Sequence, residues 1–281
     1  MKMKKIKKIQ VALWKIYGGI KNILSAFVGR LWSVLPLYTQ SYITTHTPPI
    51  GNLHYKNRVI KMNVSSTIAY KYLRAYKKEP ATIRWLEKNI SANSVFYDIG
   101  ANIGAYSFIA LMLSEIAIPI YSFEPGQCTF AVLCENIFLN KMKTIFPIPF
   151  PLSDATRLTY FSYGTLRAGS AVHPGVNMNP TLNCCFSHLV QAYSLDDLVR
   201  LANLPYPTIM KIDVDGHELQ VIRGAHDVIK SPYLKTIQVE IDEKDEGCIQ
   251  IVDLIENAGL KMIEKSQKGT SRTYDYRFVR V

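Results

Sequence analysis

Short apolar runs, each closing on a polar or glycine-bearing turn, alternate along the chain with stretches spaced for helices. Val95-Phe96-Tyr97-Asp98-Ile99 leads into Gly100 and Gly104, and Tyr106–Leu113 follows with an amphipathic pattern. This reads as a buried strand, a tight turn, and a helix whose free N–H groups face a ligand. Ile116–Phe123 is the next predicted strand, with Pro119 marking an irregular start. Gln127–Leu139 carries Phe130, Leu133 and Ile137 at helical spacing, a stripe that faces a core. Further strands are predicted at Thr144–Ile148, Ile209–Ile212, Leu234–Ile241, Leu260–Ile263 and Tyr274–Val281, with helices over Leu219–Ile229 and Ile249–Ala258. The last two strands pair antiparallel about the polar turn Gln267–Thr270. Strands alternating with helices in this way predict an α/β fold around a largely parallel sheet.

Upstream the pattern is less regular. Ser65–Tyr76 is helical and basic, and Glu79-Pro80 opens a helix over Ala81–Ile90 with proline in its first turn. Ile83, Leu86 and Ile90 face the sheet, and Trp85 reads as a packing residue. Residues 38–60, with Pro48-Pro49-Ile50-Gly51 and many Ser and Thr, read as a loop or linker. The chain therefore divides into a basic N-terminal extension and linker, 1–64, and a folded α/β domain, 65–281. Within the domain, 155–190 reads as an insertion. Leu158–Tyr163 forms a hairpin strand there, and Tyr163, Arg167 and His173 either touch a substrate or are simply exposed. Ser194 caps a short helix whose first turn holds Asp196 and Asp197.

The net charge of +11 suggests nucleic acid until it is located. Of the 33 Lys and Arg, 15 precede the first acidic residue, Glu79; the other 203 residues hold 18 basic and all 22 acidic side chains, a net of −4. The folded domain is thus acidic and has no basic–aromatic stripe, which excludes a nucleic-acid role for it. The extension opens with five lysines among its first eight residues, then turns apolar to Leu37. Lys15, Lys21 and Arg30 interrupt that stretch, which disfavours both a spanning helix and a cleaved leader. Trp14, Tyr17, Phe27, Leu31 and Trp32 on a basic helix suit either an anionic membrane surface, as a peripheral contact, or packing on protein. Five cysteines without a Cys-x-x-Cys pair point to reduced thiols, a cytoplasmic setting and no zinc site.

The chemistry concentrates in two turns. Asp98-x-Gly100-x-Asn102-x-Gly104 departs from the Gly-x-Gly-x-x-Gly of dinucleotide sites, because Asn102 stands where a glycine would admit a pyrophosphate. A smaller nucleoside fits better. S-adenosylmethionine suits such a turn: its amino-acid end needs turn amides and an acid. Glu124, 24 residues after Gly100, is spaced to hold its ribose. The second turn, Lys211-Ile-Asp213-Val-Asp215-Gly-His217-Glu218, ends a buried strand at the same sheet edge. Asp213, Asp215 or His217 can accept a proton from an attacking alcohol. The competing roles are an ion pair with Lys211 for Asp213, helix capping for Asp215 and plain exposure for His217. Asp-x-Asp beside a histidine also permits a divalent cation. The upstream turn favours a nucleoside sulfonium over a sugar diphosphate, so metal-free transfer is expected. Glu240 either faces the same cleft or pairs with Lys235.

These motifs, in order, resemble the FkbM-type family of class I S-adenosylmethionine-dependent methyltransferases. They are Asp98–Gly104, Phe123-Glu124-Pro125, Ser153-Asp154, Leu195–Leu198 and Lys211–Gly216, and the resemblance spans about residues 79–281. It implies a Rossmann-like seven-stranded sheet with helices on both faces, preceded here by the basic helical extension. It also implies S-adenosyl-L-methionine as cofactor, with Ser153 and Asp154 near the adenine. The implied activity is O-methylation of a hydroxyl on a sugar, glycan or related small molecule. One departure stands out: the family often carries glutamate where this chain has Asp215, whose reach is shorter. The alternatives are a metal-dependent nucleotide-sugar glycosyltransferase, or a non-catalytic membrane-associated protein with this fold.

Overall fold

The computed structural model describes residues 22–170, 175–177, 184–267 and 272–281. Contacts divide the chain between Pro48 and Pro49. In the first unit, residues 22–33 and Leu37–His46 are helical. Ile23, Phe27 and Leu31, each one turn from the next, are all more than half exposed, as are Leu24 and Val28. Trp14 and Tyr17 lie outside the described residues. Among those described, no helix is long and apolar enough to cross a membrane.

The second unit opens with a hairpin, β1 (Ile50–Tyr55) and β2 (Arg58–Asn63). The expected linker over 38–60 is thereby corrected, since it contains part of one helix and most of this hairpin. Leu53, Tyr55, Ile60 and Met62 bury one alternating face of the pair. The proline and glycine at 48–51 mark only the entry to the hairpin. After short helical pieces from Thr67 to Lys78 comes α1 (Pro80–Asn89), then β3 (Phe96–Ile99), α2 (Ala105–Leu113), β4 (Ile120–Phe123), α3 (Gln127–Leu139) and β5 (Ile145–Ile148). The insertion forms a separate antiparallel sheet of β6 (Arg157–Tyr163), β7 (Gly175–Asn177) and β8 (Phe186–Ala192). The chain continues through α4 (Leu195–Leu201), β9 (Ile209–Ile212), α5 (Glu218–Arg223), α6 (His226–Lys230), β10 (Thr236–Asp242), α7 (Cys248–Asn257), β11 (Leu260–Gln267) and β12 (Thr273–Arg280).

Seven strands make the main sheet in the order β11-β12-β10-β9-β3-β4-β5. All are parallel except β12, which runs antiparallel to both neighbours. Successive residues of each strand feed opposite cores. Tyr97, Ile99 and Ile212 pack with α4 to α7, whereas Phe96, Ile120 and Ile209 pack with α1, α2, α3 and the hairpin. The chain builds outward from β3 in one direction and later from β9 in the other. Their shared boundary is the crevice at the carboxyl ends where such sheets bind ligands.

Two expectations change in detail. The single helix predicted over Leu219–Ile229 is two, α5 and α6, broken at Gly224. A Cβ there would stand 2.0 Å from the Ser153 carbonyl oxygen, so only glycine fits where the chain meets that backbone. Asp196 does not serve its own helix: its carboxylate accepts the Asp227 and Val228 N–H groups at the start of α6. Ser194 caps α4 as expected, accepting from Asp197 N–H. The turn at 268–270 lies outside the described residues.

Buried amides fasten the hairpin. The Asn136 side chain, fully buried on α3, accepts Asn63 N–H at 2.6 Å and donates to the Ile103 carbonyl at 3.0 Å. One residue thus ties the hairpin to the glycine turn. Replacing it leaves a buried donor and a buried acceptor without partners. Asn136→Ala is expected to cost about 2–3 kcal/mol, measured by urea denaturation, whereas Asn140→Ala at the exposed end of the same seam should cost under about 1 kcal/mol.

Candidate active site

The turn after β3 holds three left-handed residues: Gly100 at φ 83°, Asn102 at φ 51° and Gly104 at φ 95°. Asparagine tolerates this region where bulkier residues do not. At Gly100 the need is spatial as well, because a Cβ would lie 1.8 Å from the carbonyl oxygen of Asp213. The two sequence turns are therefore one structure, pressed backbone to backbone across 113 residues. Gly100 and Ala101 N–H donate to the Phe123 carbonyl, which continues the β3–β4 ladder into the turn.

Glu124 locks this corner. Its carboxylate accepts Asn102 N–H at 3.0 Å and Gly126 N–H at 2.8 Å. Burial pushes its pKa up to about 7, against the pull of those two hydrogen bonds. Asp98 is fully buried beneath the turn, where one oxygen accepts from Ser107 Oγ at 2.6 Å and Ser107 meets Ser122 at 2.7 Å. Its other oxygen has no hydrogen-bond partner among the described residues. Burial raises the Asp98 pKa, and the charge of Lys211 opposes that rise.

The second turn is built the same way. Lys211, buried at the end of β9, places Nζ 2.8 Å from Asp213 Oδ2 and 4.9 Å from the ring centre of Tyr106. Asp215 and Gly216 are both left-handed, at φ 53° and 99°. Glu218 reaches back from α5 to accept Val214 N–H at 3.1 Å and Gly216 N–H at 3.0 Å. Its pKa is likewise pushed up to about 7 by burial. Asp215 does not cap α5, whose cap residue is His217 with no side-chain cap bond.

Between the turns lies a cavity of about 390 Å³, the size expected for a small-molecule site. Gly100, Asn102, Glu124, Lys211, Asp213, Asp215 and His217 all line it, and so does Glu240. Asp98 and Gly104 do not: they form the support of the turn, with Gly104 packed against Phe108 and Leu133. Ser153 and Asp154 also lie outside the lining. Ser153 Oγ bonds Asp154, which pairs with Arg157 at 2.9 Å, and the neighbouring wall is Phe150, Pro151 and Leu152. Of the insertion's candidates, Tyr163 is buried, Arg167 is exposed and His173 lies outside the described residues. Trp85 is buried, its Nε1 donating to Thr236 Oγ1 at 2.9 Å.

Several lining residues escaped the sequence reading. Phe150 and Phe161 supply apolar wall, and Tyr72, Lys78, Glu79, Tyr106 and Thr273 line it as well. Phe150 carries a usable signal, since it follows the carboxyl end of β5. Tyr72 and Glu79 carry none, because they precede the strands and meet the site only through the fold. Among the described lining residues five are carboxylates and two are lysines, so the cavity favours a cation. No group of three or more His, Cys, Asp or Glu among the described residues is arranged to hold a metal ion.

The strand order, with its antiparallel β12 and two-turn cleft, defines a class I S-adenosylmethionine-dependent methyltransferase. Residues 98–262 match the methyltransferase FkbM domain, and the chain belongs to that family. It is 26% identical to hexuronic acid methyltransferase AglP of Haloferax volcanii, over 62% of this chain and 68% of that one. Its fold is similar to that of a methyltransferase FkbM from Methylobacillus flagellatus, with a TM-score of 0.50 and 14% identity. That likeness covers 75% of this chain and 53% of the other, about half its length. The cofactor is S-adenosylmethionine. The site suits it: Glu124 presents a carboxylate beside turn amides, and the acidic lining matches a ligand carrying a sulfonium and an ammonium.

Glu218 and Glu124 have pKa values raised above the ordinary 4.5, so the stability linked to them is fully present below about 4.5 and is lost as pH rises through 7. Glu218→Gln should flatten that loss by about 2 kcal/mol, read from urea denaturation of wild type and variant at pH 5 and pH 8. Parallel pH profiles would assign the slope to other groups.

Proposed function

We propose that this chain is an O-methyltransferase that transfers the methyl group of S-adenosylmethionine to a hydroxyl of a sugar, glycan or related small molecule. The observation that carries the reading is a cavity lined on one side by the glycine turn with Glu124 and on the other by Lys211, Asp213, Asp215 and His217. The family match and the strand order favour this over a nucleotide-sugar glycosyltransferase. A sugar acceptor draws support from AglP, whose name makes it a hexuronic acid methyltransferase.

The cofactor supplies an electrophilic methyl group on a positively charged sulfur. In this reading the residues of the chain bind, align and remove a proton. Gly100 and Asn102 offer backbone at the first turn, and Glu124 is the acceptor for ribose hydroxyls. Phe150 and Leu152 enclose the base, the part that the resemblance gives to Ser153 and Asp154. An in-line displacement needs the attacking oxygen held close and aligned. The carboxylates of Asp213 and Asp215 and the imidazole of His217 are the groups that take the acceptor's proton. Lys211 orients Asp213 through their 2.8 Å contact.

The extension adds a second part. A stripe of exposed apolar residues from Ile23 to Leu31, in a segment with 15 basic and no acidic residues up to Lys78, supports peripheral contact with an anionic membrane surface.

Two measurements test these proposals. Methyl transfer to a panel of sugars, followed by mass spectrometry, should fall about 10²–10⁴-fold in kcat for the variant, Asp213→Asn or His217→Ala, that removes the proton acceptor. Cofactor affinity by calorimetry should stay near wild type. Full kcat in both of these variants and in Asp215→Asn as well would remove this turn from the chemistry. For the extension, full-length protein should float with vesicles containing about a third anionic lipid and not with neutral ones; no enrichment on anionic vesicles would end the membrane proposal.

A further inference from the structure

The glycine turn is closed on itself. Gly100 and Ala101 N–H donate to the Phe123 carbonyl and Asn102 N–H to Glu124. Ile103 N–H donates to the Asn102 side chain and Gly104 N–H to the Ala101 carbonyl. All five amides from Gly100 to Gly104 are thus engaged in holding the turn in shape. S-adenosylmethionine carries a sulfonium and an ammonium, which the acidic lining suits, but its amino-acid end also carries a carboxylate. A carboxylate only accepts, so it needs donors. The turn amides expected for that end are already bonded within the protein.

Tyr106 supplies what the turn lacks. It is the second residue of α2, directly after the turn, and it lines the cavity. The residue is 5% exposed, and its hydroxyl has no hydrogen-bond partner among the described residues. A buried hydroxyl in that state costs stability until a ligand completes it. Burial, and then the charge of Glu79, hold the phenol well above its ordinary pKa, so it is a donor at neutral pH. Two positive features favour an anionic group beside it. The Lys211 ammonium, paired with Asp213, lies 4.9 Å from the ring centre. The nine-residue α2 also begins here, with the positive end of its dipole. Tyr72 lines the same cavity and adds a second phenol, kept protonated by burial and the surrounding carboxylates. The cofactor's ammonium shares a carbon with its carboxylate and suits those nearby acids.

We infer that the Tyr106 hydroxyl, with Tyr72 beside it, holds the carboxylate of S-adenosylmethionine's amino-acid end in place of the turn amides. The glycine turn then shapes the cavity and places Tyr106, and the phenols make the contact. This concerns the cofactor alone and does not depend on which acceptor is methylated.

The test is calorimetry on the full-length protein with S-adenosylmethionine and with decarboxylated S-adenosylmethionine, which lacks only that group. Tyr106→Phe removes the hydroxyl and keeps the ring. It should weaken S-adenosylmethionine about tenfold or more in Kd and leave the affinity for the decarboxylated ligand unchanged. Because the hydroxyl is unbonded in the protein alone, the ligand-free variant should melt at the wild-type temperature or above it. Tyr72→Phe should show the same selective loss, and it keeps the test open if the Tyr106 variant does not fold. An equal loss for both ligands, or undiminished affinity for S-adenosylmethionine in Tyr106→Phe, would overturn the inference while leaving the methyl-transfer reading in place.

Discussion

The contact between Gly100 and the carbonyl of Asp213 sets the geometry of the cleft. No side chain can stand between them, because a Cβ at position 100 would overlap that oxygen at 1.8 Å. Backbone therefore meets backbone, and the turn after β3 is held directly against the turn after β9. The sheet imposes this meeting: β3 and β9 are neighbours, with Ile99 paired to Ile212 and Asp213 N–H bonded to the Ile99 carbonyl. The two turns that face each other across the cavity take their positions from that seam.

Each turn is then secured by a buried carboxylate that accepts two backbone N–H groups. Glu124 does this for the first, Glu218 for the second. Burial raises both acids to about 7, and the hydrogen bonds offset part of that cost. The arrangement costs stability at neutral pH, but it leaves amides and carboxylate oxygens fixed around a ligand space. Such fixed dipoles need little reorganisation when a charged cofactor arrives.

Charge is distributed by unit as well as by site. The segment before Glu79 is wholly basic where charged, whereas the rest of the chain is acidic overall, and the cavity more so. A positively charged sulfonium suits the cavity, and an anionic surface suits the extension. Lys78 and Glu79 stand where the two regimes meet, the last base before the first acid in the chain, and both reach the cavity wall.

The alternation of strands and helices and the cofactor class were legible in the chain because they depend on local chemistry. An apolar run ending in Asp98-x-Gly100 can do little else but end a buried strand on a tight turn. The spacing to Glu124, and the polar turn after Ile212, follow the same rule. What sequence could not show was any contact between segments far apart in the chain. The hairpin at 50–63 looked like linker because its proline and glycine are local signals, whereas the face that buries Leu53 and Met62 has meaning only against α2 and α3. Glu79 read as a helix opener and became part of the wall. Asp154, which the resemblance sets near the adenine, pairs with Arg157. Helix and strand patterns record short-range spacing. Which side chain faces the ligand is decided by the packing of elements that only the folded sheet brings together.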